Sequence, residues 1–245
     1  MIILGDIGNT ETKICIVKNN KIIKKFLIPS KGKKMKILDK HFRKFKFSKL
    51  KKLLFCSVVP STFKELKNYF KQKTHIKCFE LKELNLRSVL KIDVNYKQVG
   101  SDRLANAICV SVKNKNFIIL DFGTATTFDV LIGKNYKGGI ISPGINLSLN
   151  TLSDKASLIP KINLKKISKV IGKDTKSAVR SGFFWGYAGL IDNIINLIKK
   201  EIKKPFTVII TGGFSKLFKN SIKTKVKQDF DITINGLIKA SKLIK

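Results

Sequence analysis

Two short stretches share an arrangement that suits phosphate chemistry. Asp6-Ile7-Gly8-Asn9-Thr10-Glu11-Thr12 follows the apolar run Met1-Ile2-Ile3-Leu4, and Asp121-Phe122-Gly123-Thr124-Ala125-Thr126-Thr127 follows Phe117-Ile118-Ile119-Leu120. In each, an acidic residue precedes glycine and hydroxyl side chains, and a second apolar run follows at residues 14–17 and 128–132. The pattern predicts strand, tight turn, strand, with backbone N–H groups and hydroxyls presented beside a carboxylate. Such a turn can hold nucleotide phosphates and an accompanying cation. For either copy alone, an ordinary hairpin satisfied by its own Gly, Asp and Thr is the plainer alternative. The repetition favours function, and it implies two similar half-domains facing one another across a cleft.

A third stretch, Gly100-Ser101-Asp102-Arg103, leads into the small, apolar segment Leu104-Ala105-Asn106-Ala107-Ile108-Cys109-Val110. A carboxylate beside a guanidinium could accept a hydroxyl proton while the arginine fork holds an anionic substrate. Ser101 or Asp102 could equally cap the first turn of a helix. Gly138-Gly139, Pro143-Gly144 and Thr211-Gly212-Gly213 would let the backbone come close to a ligand or to another strand.

The elements that must position these residues alternate between strand and helix. Residues 1–28 predict a three-stranded meander with its second turn at Asn19-Asn20, and residues 53–59 a buried central strand. Pro60-Ser61 opens a helix reaching Tyr69-Phe70, and a short strand follows around residues 76–81. After the second phosphate-type turn come a helix at residues 145–152, a polar connection to Lys173, and a long helix from Asp174-Thr175 toward Lys200. Thr175 is the expected N-cap of that helix, and the glycines of residues 182–189 are the one place where it risks interruption. Its small and aromatic residues, among them Gly182, Trp185 and Gly186, suit close packing in the core or between subunits. A strand at 206–210 and an amphipathic helix at 232–244, lysines outward, complete the chain. The order predicts an α/β sheet protein with ligands beyond the carboxyl ends of its strands, divided into residues 1–114 and 115–245.

Composition bounds what else is possible. The 245 residues are 43% hydrophobic and include 17 Phe, enough for a real core. No apolar stretch approaches the roughly 18 residues of a membrane span, and the first residues lack a secretory leader, so a cytoplasmic location is expected. Cys15, Cys56, Cys78 and Cys109 are scattered and, with His41 and His75, form no zinc constellation. Cys15, Cys56 and Cys109 read as small core residues, while Cys78 sits between Lys77 and Phe79. Fifty basic minus 16 acidic residues gives a net charge of +34, which by itself would suggest nucleic acid or an anionic surface. The lysines, however, run the whole length, densest at residues 31–52, alongside abundant Ile, Asn and Phe, as an AT-rich coding sequence would produce. Nucleic-acid binding is therefore expected only as non-specific electrostatics. Phe42, Phe45 and Phe47 read as the buried side of an amphipathic segment.

Taken together, Asp6-Ile7-Gly8-Asn9-Thr10, Ser57-Val58-Val59-Pro60, Gly100-Ser101-Asp102-Arg103, Asp121-Phe122-Gly123-Thr124-Ala125, Gly138-Gly139 with Pro143-Gly144, Ile171-Gly172-Lys173-Asp174-Thr175 and Thr211-Gly212-Gly213 resemble the type III pantothenate kinase family. The resemblance implies two related actin-like domains of the acetate kinase, sugar kinase, Hsc70 and actin superfamily, usually in a homodimer. It implies transfer of the γ-phosphoryl group of ATP to pantothenate, with Mg²⁺ and a monovalent cation, K⁺ or NH₄⁺. By matching positions, Asp6, Ile7, Gly8, Asn9, Thr10, Glu11, Thr12 and Lys13 would form the first ATP-binding loop, and Thr124 would also contact ATP. Gly100, Ser101, Asp102 and Arg103 would hold pantothenate, with Asp102 as proton acceptor and Thr175 contributing, across a dimer interface. Asp121 would help bind the monovalent cation. The sequence departs from the family pattern just before Gly100: Tyr96 stands near the place of a family proline, and Asp93 near that of a family tyrosine. Two other readings of the same features are a kinase of this superfold with another hydroxyl acceptor and a nucleic-acid-associated transcription accessory factor.

Overall fold

In the computed structural model, which describes residues 1–32 and 34–244, the chain forms two compact units. The first begins with β1 (Ile2–Ile7), β2 (Glu11–Lys18) and β3 (Lys21–Pro29), an antiparallel meander. Asn19 and Asn20, at φ of 51° and 60°, make its two-residue turn in the left-handed region that asparagine tolerates. After α1 (Lys34–Phe42), β4 (Lys52–Ser57) adds in parallel beside β1. Then come α2 (Pro60–Lys73), with proline where a missing N–H costs nothing, and β5 (Cys78–Glu80), parallel to β4. The resulting order is β3-β2-β1-β4-β5. Leu53, Leu54, Phe55 and Cys56 are completely buried, as the unbroken apolar run of β4 predicts for a strand covered on both faces.

On one face, Ile3, Ile14, Ile16, Leu53 and Phe55 pack with Leu38 and Phe42 of α1 and Leu66, Tyr69 and Phe70 of α2. Phe45 and Phe47, partly buried, pack against this cluster, so the phenylalanines of the lysine-rich segment form its inward side. A two-residue strand, β6 (Lys91–Ile92), precedes α3 (Ser101–Val110).

The second unit comprises Lys113–Gly133 and Lys137–Phe230. Its strands are β7 (Asn116–Phe122), β8 (Ala125–Ile132), β9 (Asn135–Pro143), β10 (Thr207–Gly212) and β11 (Val226–Gln228), ordered β11-β10-β7-β8-β9. The first residues of β9, Asn135 and Tyr136, group with the first unit and pair there with β6. Three helices complete the second unit: α4 (Ile145–Lys155), α5 (Thr175–Ile202) and α6 (Ser215–Phe218). The core joins Ile118, Leu120 and Phe128 of the sheet to Leu149 of α4 and Phe184, Ile191 and Ile195 of α5.

As expected, α5 reaches Lys200: it runs for 28 residues without interruption at Gly182, Gly186 or Gly189. A buried stripe of Phe184, Ala188, Ile191, Ile195 and Ile198 holds it to the core, and tertiary packing outweighs the poor helix propensity of glycine. Its N-cap is Asp174, which forms a reciprocal capping box with Ser177, so Thr175 is the first helical residue and not the cap.

The two units repeat one device. Gly8 N–H donates to the Glu11 carbonyl at 3.1 Å, and Gly123 N–H to the Ala125 carbonyl at 3.1 Å. The next parallel strand closes each turn in the same way, through Val58 N–H to the Ile7 carbonyl at 3.0 Å and Gly213 N–H to the Phe122 carbonyl at 3.1 Å.

The last helix, α7 (Ile232–Ala240), keeps Lys239 exposed as the amphipathic pattern predicts, yet most of its other residues are covered. Ile232, Thr233, Ile234, Gly236, Leu237, Ile238 and Ala240 are all buried. It packs on α3 and β1 in the first unit, whereas the sequence reading carried the second domain to residue 245. The approach is close because Gly236 has no side chain: a Cβ there would lie 1.8 Å from the Ala105 carbonyl oxygen. Thr233 Oγ1 donates to Asn106 Oδ1 at 2.8 Å in the same interface. No local pattern announces a partner helix more than a hundred residues earlier.

Candidate active site

Residues 6–13 form the turn from β1 to β2. Near the end of β1, Asp6 pairs with Lys13, and Ile7 pairs with Thr12. Asn9, Thr10 and Glu11 are exposed at the tip, where side chains and N–H groups can meet a ligand. Ile7 and Thr12 face inward instead. Ile7 is completely buried, and the Thr12 hydroxyl bonds to Ser30 Oγ at 2.9 Å. Both can contribute to a ligand only through the backbone.

Asp6 is also the register partner of Cys56 on β4, and the Cys56 thiol donates to Asp6 Oδ1 at 3.5 Å. Burial, and then the negative charge of Asp102, push the Asp6 carboxyl up to about 6, against the opposing pull of Lys13 and the Cys56 thiol. The Asp102 carboxyl is likewise held above its ordinary value by burial, with Arg103 working against the shift. Asp6 therefore senses the charge of Asp102, remote from it in sequence.

Asp102 sits in the first turn of α3. Its Oδ1 accepts the Arg103 N–H at 2.8 Å, while the N-cap position belongs to Gly100, with no side-chain cap. A Cβ at Gly100 would fall 2.5 Å from Asp102 Oδ1 and would push that carboxylate aside. Ser101 caps nothing: its hydroxyl donates to the Glu80 carboxylate in a short hydrogen bond. Glu80 also accepts Ser57 N–H at 3.3 Å and Lys82 N–H at 2.6 Å. Sequence reasoning passed over Glu80 entirely and took Cys56 for a plain core residue; the position of both at or near the carboxyl ends of parallel strands was the available signal.

In the second unit, Asp121 pairs with Thr127 across the β7–β8 ladder and with Thr211 across β7–β10. Gly212, at φ 83°, approaches so closely that a Cβ would lie 2.7 Å from Asp121 Oδ1 and 2.6 Å from the Phe122 backbone. Gly144, the N-cap of α4, lies against the turn itself, where a Cβ would meet the Thr124 carbonyl oxygen at 2.1 Å. Thr124 thus lies next to a helix N-terminus, whose free N–H groups favour anions. Of the glycines expected to allow close approach, Gly144 and Gly212 do so, whereas Gly213 has open space beside it. Thr175 lies on a different element, exposed at the start of α5.

A cavity of about 590 Å³ in the first unit is lined by Lys82, Leu84, Leu86, Arg87, Lys91 and Tyr96, among others. It includes neither Asp6 nor Asp102. Tyr96 lines it and donates its hydroxyl to the Lys82 carbonyl at 3.1 Å. Cys15 and Cys56 are buried as expected, Cys78 is buried too, and Cys109, expected in the core, is partly exposed. No group of three metal-type ligands occurs among the described residues, and no helix among them is long and apolar enough to cross a membrane.

The model of type III pantothenate kinases matches residues 2–197. A type III pantothenate kinase from Pelagibacter ubique (strain HTCC1062) is 63% identical over 248 residues, covering 100% of both chains. Another from Hyphomonas neptunium (strain ATCC 15444) is 34% identical over 254 residues, covering 99% of each. Among solved structures, a Campylobacter jejuni protein described as a Baf family transcriptional activator aligns with a TM-score of 0.61 at 21% identity, covering 98% of this chain and 97% of that one. Component A of (R)-2-hydroxyglutaryl-CoA dehydratase from Acidaminococcus fermentans aligns with a TM-score of 0.55 at 14% identity, covering 100% and 99%. These structures show the fold, an actin-like α/β arrangement with two mixed sheets. The matched family model and the full-length relatives go further: this chain belongs to the type III pantothenate kinase family.

Proposed function

We propose that this chain transfers the γ-phosphoryl group of ATP to the primary hydroxyl of pantothenate, giving 4'-phosphopantothenate in the first step of coenzyme A synthesis. Family membership supports the reaction. At residue level the supporting observation is Asp102, beside Arg103 in the first turn of α3 and electrostatically coupled to Asp6 of the β1–β2 turn. Asp102 takes the hydroxyl proton as the hydroxyl oxygen bonds to the γ-phosphorus and the bond from that phosphorus to its bridging oxygen breaks, leaving ADP. Arg103 holds the substrate carboxylate with its planar fork. The N–H groups of residues 8–11 and of the Thr124 turn meet phosphate oxygens, a task that needs alignment more than a strong base.

The residues present fit the cations implied by the family. Asp6 is a desolvated carboxylate whose ionisation the nearby Asp102 charge further disfavours, and it would be the protein's oxygen donor toward Mg²⁺, leaving Asp102 free to take the proton. When bound, the cations would neutralise charge on the transferring group. Asp121, in a backbone-rich setting beside Gly212, would serve the monovalent one, K⁺ or NH₄⁺.

Homodimerisation is part of the proposal. Gly182, Trp185, Gly186 and Gly189 lie on one exposed face of α5, with open space over each of the glycines. Thr175 at the start of that helix would then reach a neighbouring subunit's substrate. A cytoplasmic location accords with the reaction.

The test is formation of phosphopantothenate from ATP and pantothenate by the purified chain with Mg²⁺, with and without K⁺. K⁺-dependent product supports the reading. A folded, ATP-binding protein that leaves pantothenate unchanged would contradict it and favour another hydroxyl acceptor.

A further inference from the structure

Glu80 ends β5, where its register partner on β4 is Phe55. Its carboxylate gathers three separate segments: Ser57 N–H at the end of β4, Lys82 N–H in the following 3₁₀ turn, and the Ser101 hydroxyl at the first residue of α3. No ion pair to Glu80 occurs among the described residues, and the Lys82 ammonium is directed to the Lys97 carbonyl at 3.2 Å. Both oxygens are therefore committed to hydrogen bonds, and a charged acceptor makes these stronger than neutral ones.

The segments so joined are those that set Asp6 against Asp102. Ser57 is the register partner of Ile7, next to Asp6, in the β1–β4 ladder. Ser101 is 2% exposed and immediately precedes Asp102. Because Gly100 supplies no side-chain cap, the Ser101–Glu80 bond is the side-chain tie at the N-terminus of α3.

We propose that Glu80 is a positioning residue for phosphoryl transfer, acting through Ser101 to hold the turn that carries Asp102 in register with the β1–β2 phosphate loop. The role rests on Asp102 being the proton acceptor. It requires no contact between Glu80 and either substrate.

The test is a double-mutant cycle on Glu80→Gln and Ser101→Ala, with Asp102→Asn alongside, reading kcat, KM for pantothenate, ATP affinity and thermal midpoint. Ser101→Ala removes one oxygen and leaves both backbone bonds to Glu80, so it reports even where Glu80→Gln is unstable. Each single variant is expected to lower kcat by about 10- to 100-fold, the scale of a roughly 1 Å misplacement, with ATP affinity unchanged. The double variant is expected to be no worse than the weaker single, because both changes break one link. Single variants with wild-type kcat, or losses that multiply, would overturn the positioning role while an inactive Asp102→Asn left the acceptor assignment standing. A fully active Asp102→Asn would overturn the acceptor assignment and the positioning role together.

Discussion

The Cys56 thiol reaches Asp6 Oδ1 at 3.5 Å, and the two residues are register partners in the β1–β4 ladder. Asp6 thus stands at the end of a fully buried strand neighbour, in a setting that disfavours its charge. A carboxyl raised from 3.8 to about 6 binds its proton more tightly in the folded chain than in the unfolded one. Stability is therefore lost as pH rises between those values, and the whole cost is present at pH 7. In chelator-treated protein, Asp6→Asn should raise unfolding stability at pH 7 by about 1–3 kcal/mol and give no gain near pH 3.5. Urea unfolding at the two pH values checks this, and a destabilised variant at pH 7 would count against it.

The same shift sets the acid side of the rate profile. In the proposed roles, Asp6 must be ionised to serve the cation and Asp102 to take the proton, and the charge of Asp102 bears on the titration of Asp6. The kcat/KM for pantothenate should fall as pH drops through about 6, well above the range of an ordinary carboxylate. A profile flat down to pH 5 would show that the pair is not desolvated in the working enzyme.

Two glycines separate folding from ligand binding. At Gly236 an added Cβ would meet the Ala105 carbonyl oxygen, and at Gly144 the Thr124 carbonyl oxygen. Gly236→Ala should cost about 3 kcal/mol by forcing α7 away from α3, measurable by urea unfolding. Gly144→Ala moves the Thr124 turn, so its larger effect should be on ATP affinity, read by calorimetry. Equal ATP affinity in wild type and Gly144→Ala would remove Thr124 from the nucleotide site.

The net charge of +34 should show itself as salt-sensitive adhesion to polyanions. Binding to double-stranded DNA at 50 mM salt should fall by about 10³-fold or more at 200 mM, without sequence preference. Sequence-selective binding that survives 200 mM salt would instead support a regulatory role.

The phosphate-type turns were legible because they are local: strand, acidic residue, glycine and hydroxyl lie consecutively, and both copies fold as hairpins closed by matching hydrogen bonds. The buried β4, the α2 start at Pro60 and the Asn19-Asn20 turn were legible for the same reason. What escaped depends on contacts distant in sequence. The return of α7 to α3 rests on the meeting of Gly236 with Ala105, and Glu80 matters only because folding brings Ser57 and Ser101 to it. The N-cap of α5 was misplaced by one residue, since Asp174 and Thr175 are both good caps and only the reciprocal bond with Ser177 decides between them.

In the proposed reaction, Asp102 is the residue on which proton transfer depends most directly. Phosphopantothenate formation by Asp102→Asn, measured against wild type under saturating ATP, Mg²⁺ and K⁺, isolates its role as proton acceptor. The expected result is a kcat lowered by about 10²- to 10⁴-fold with ATP affinity unchanged. A kcat within a few-fold of wild type would contradict the assignment.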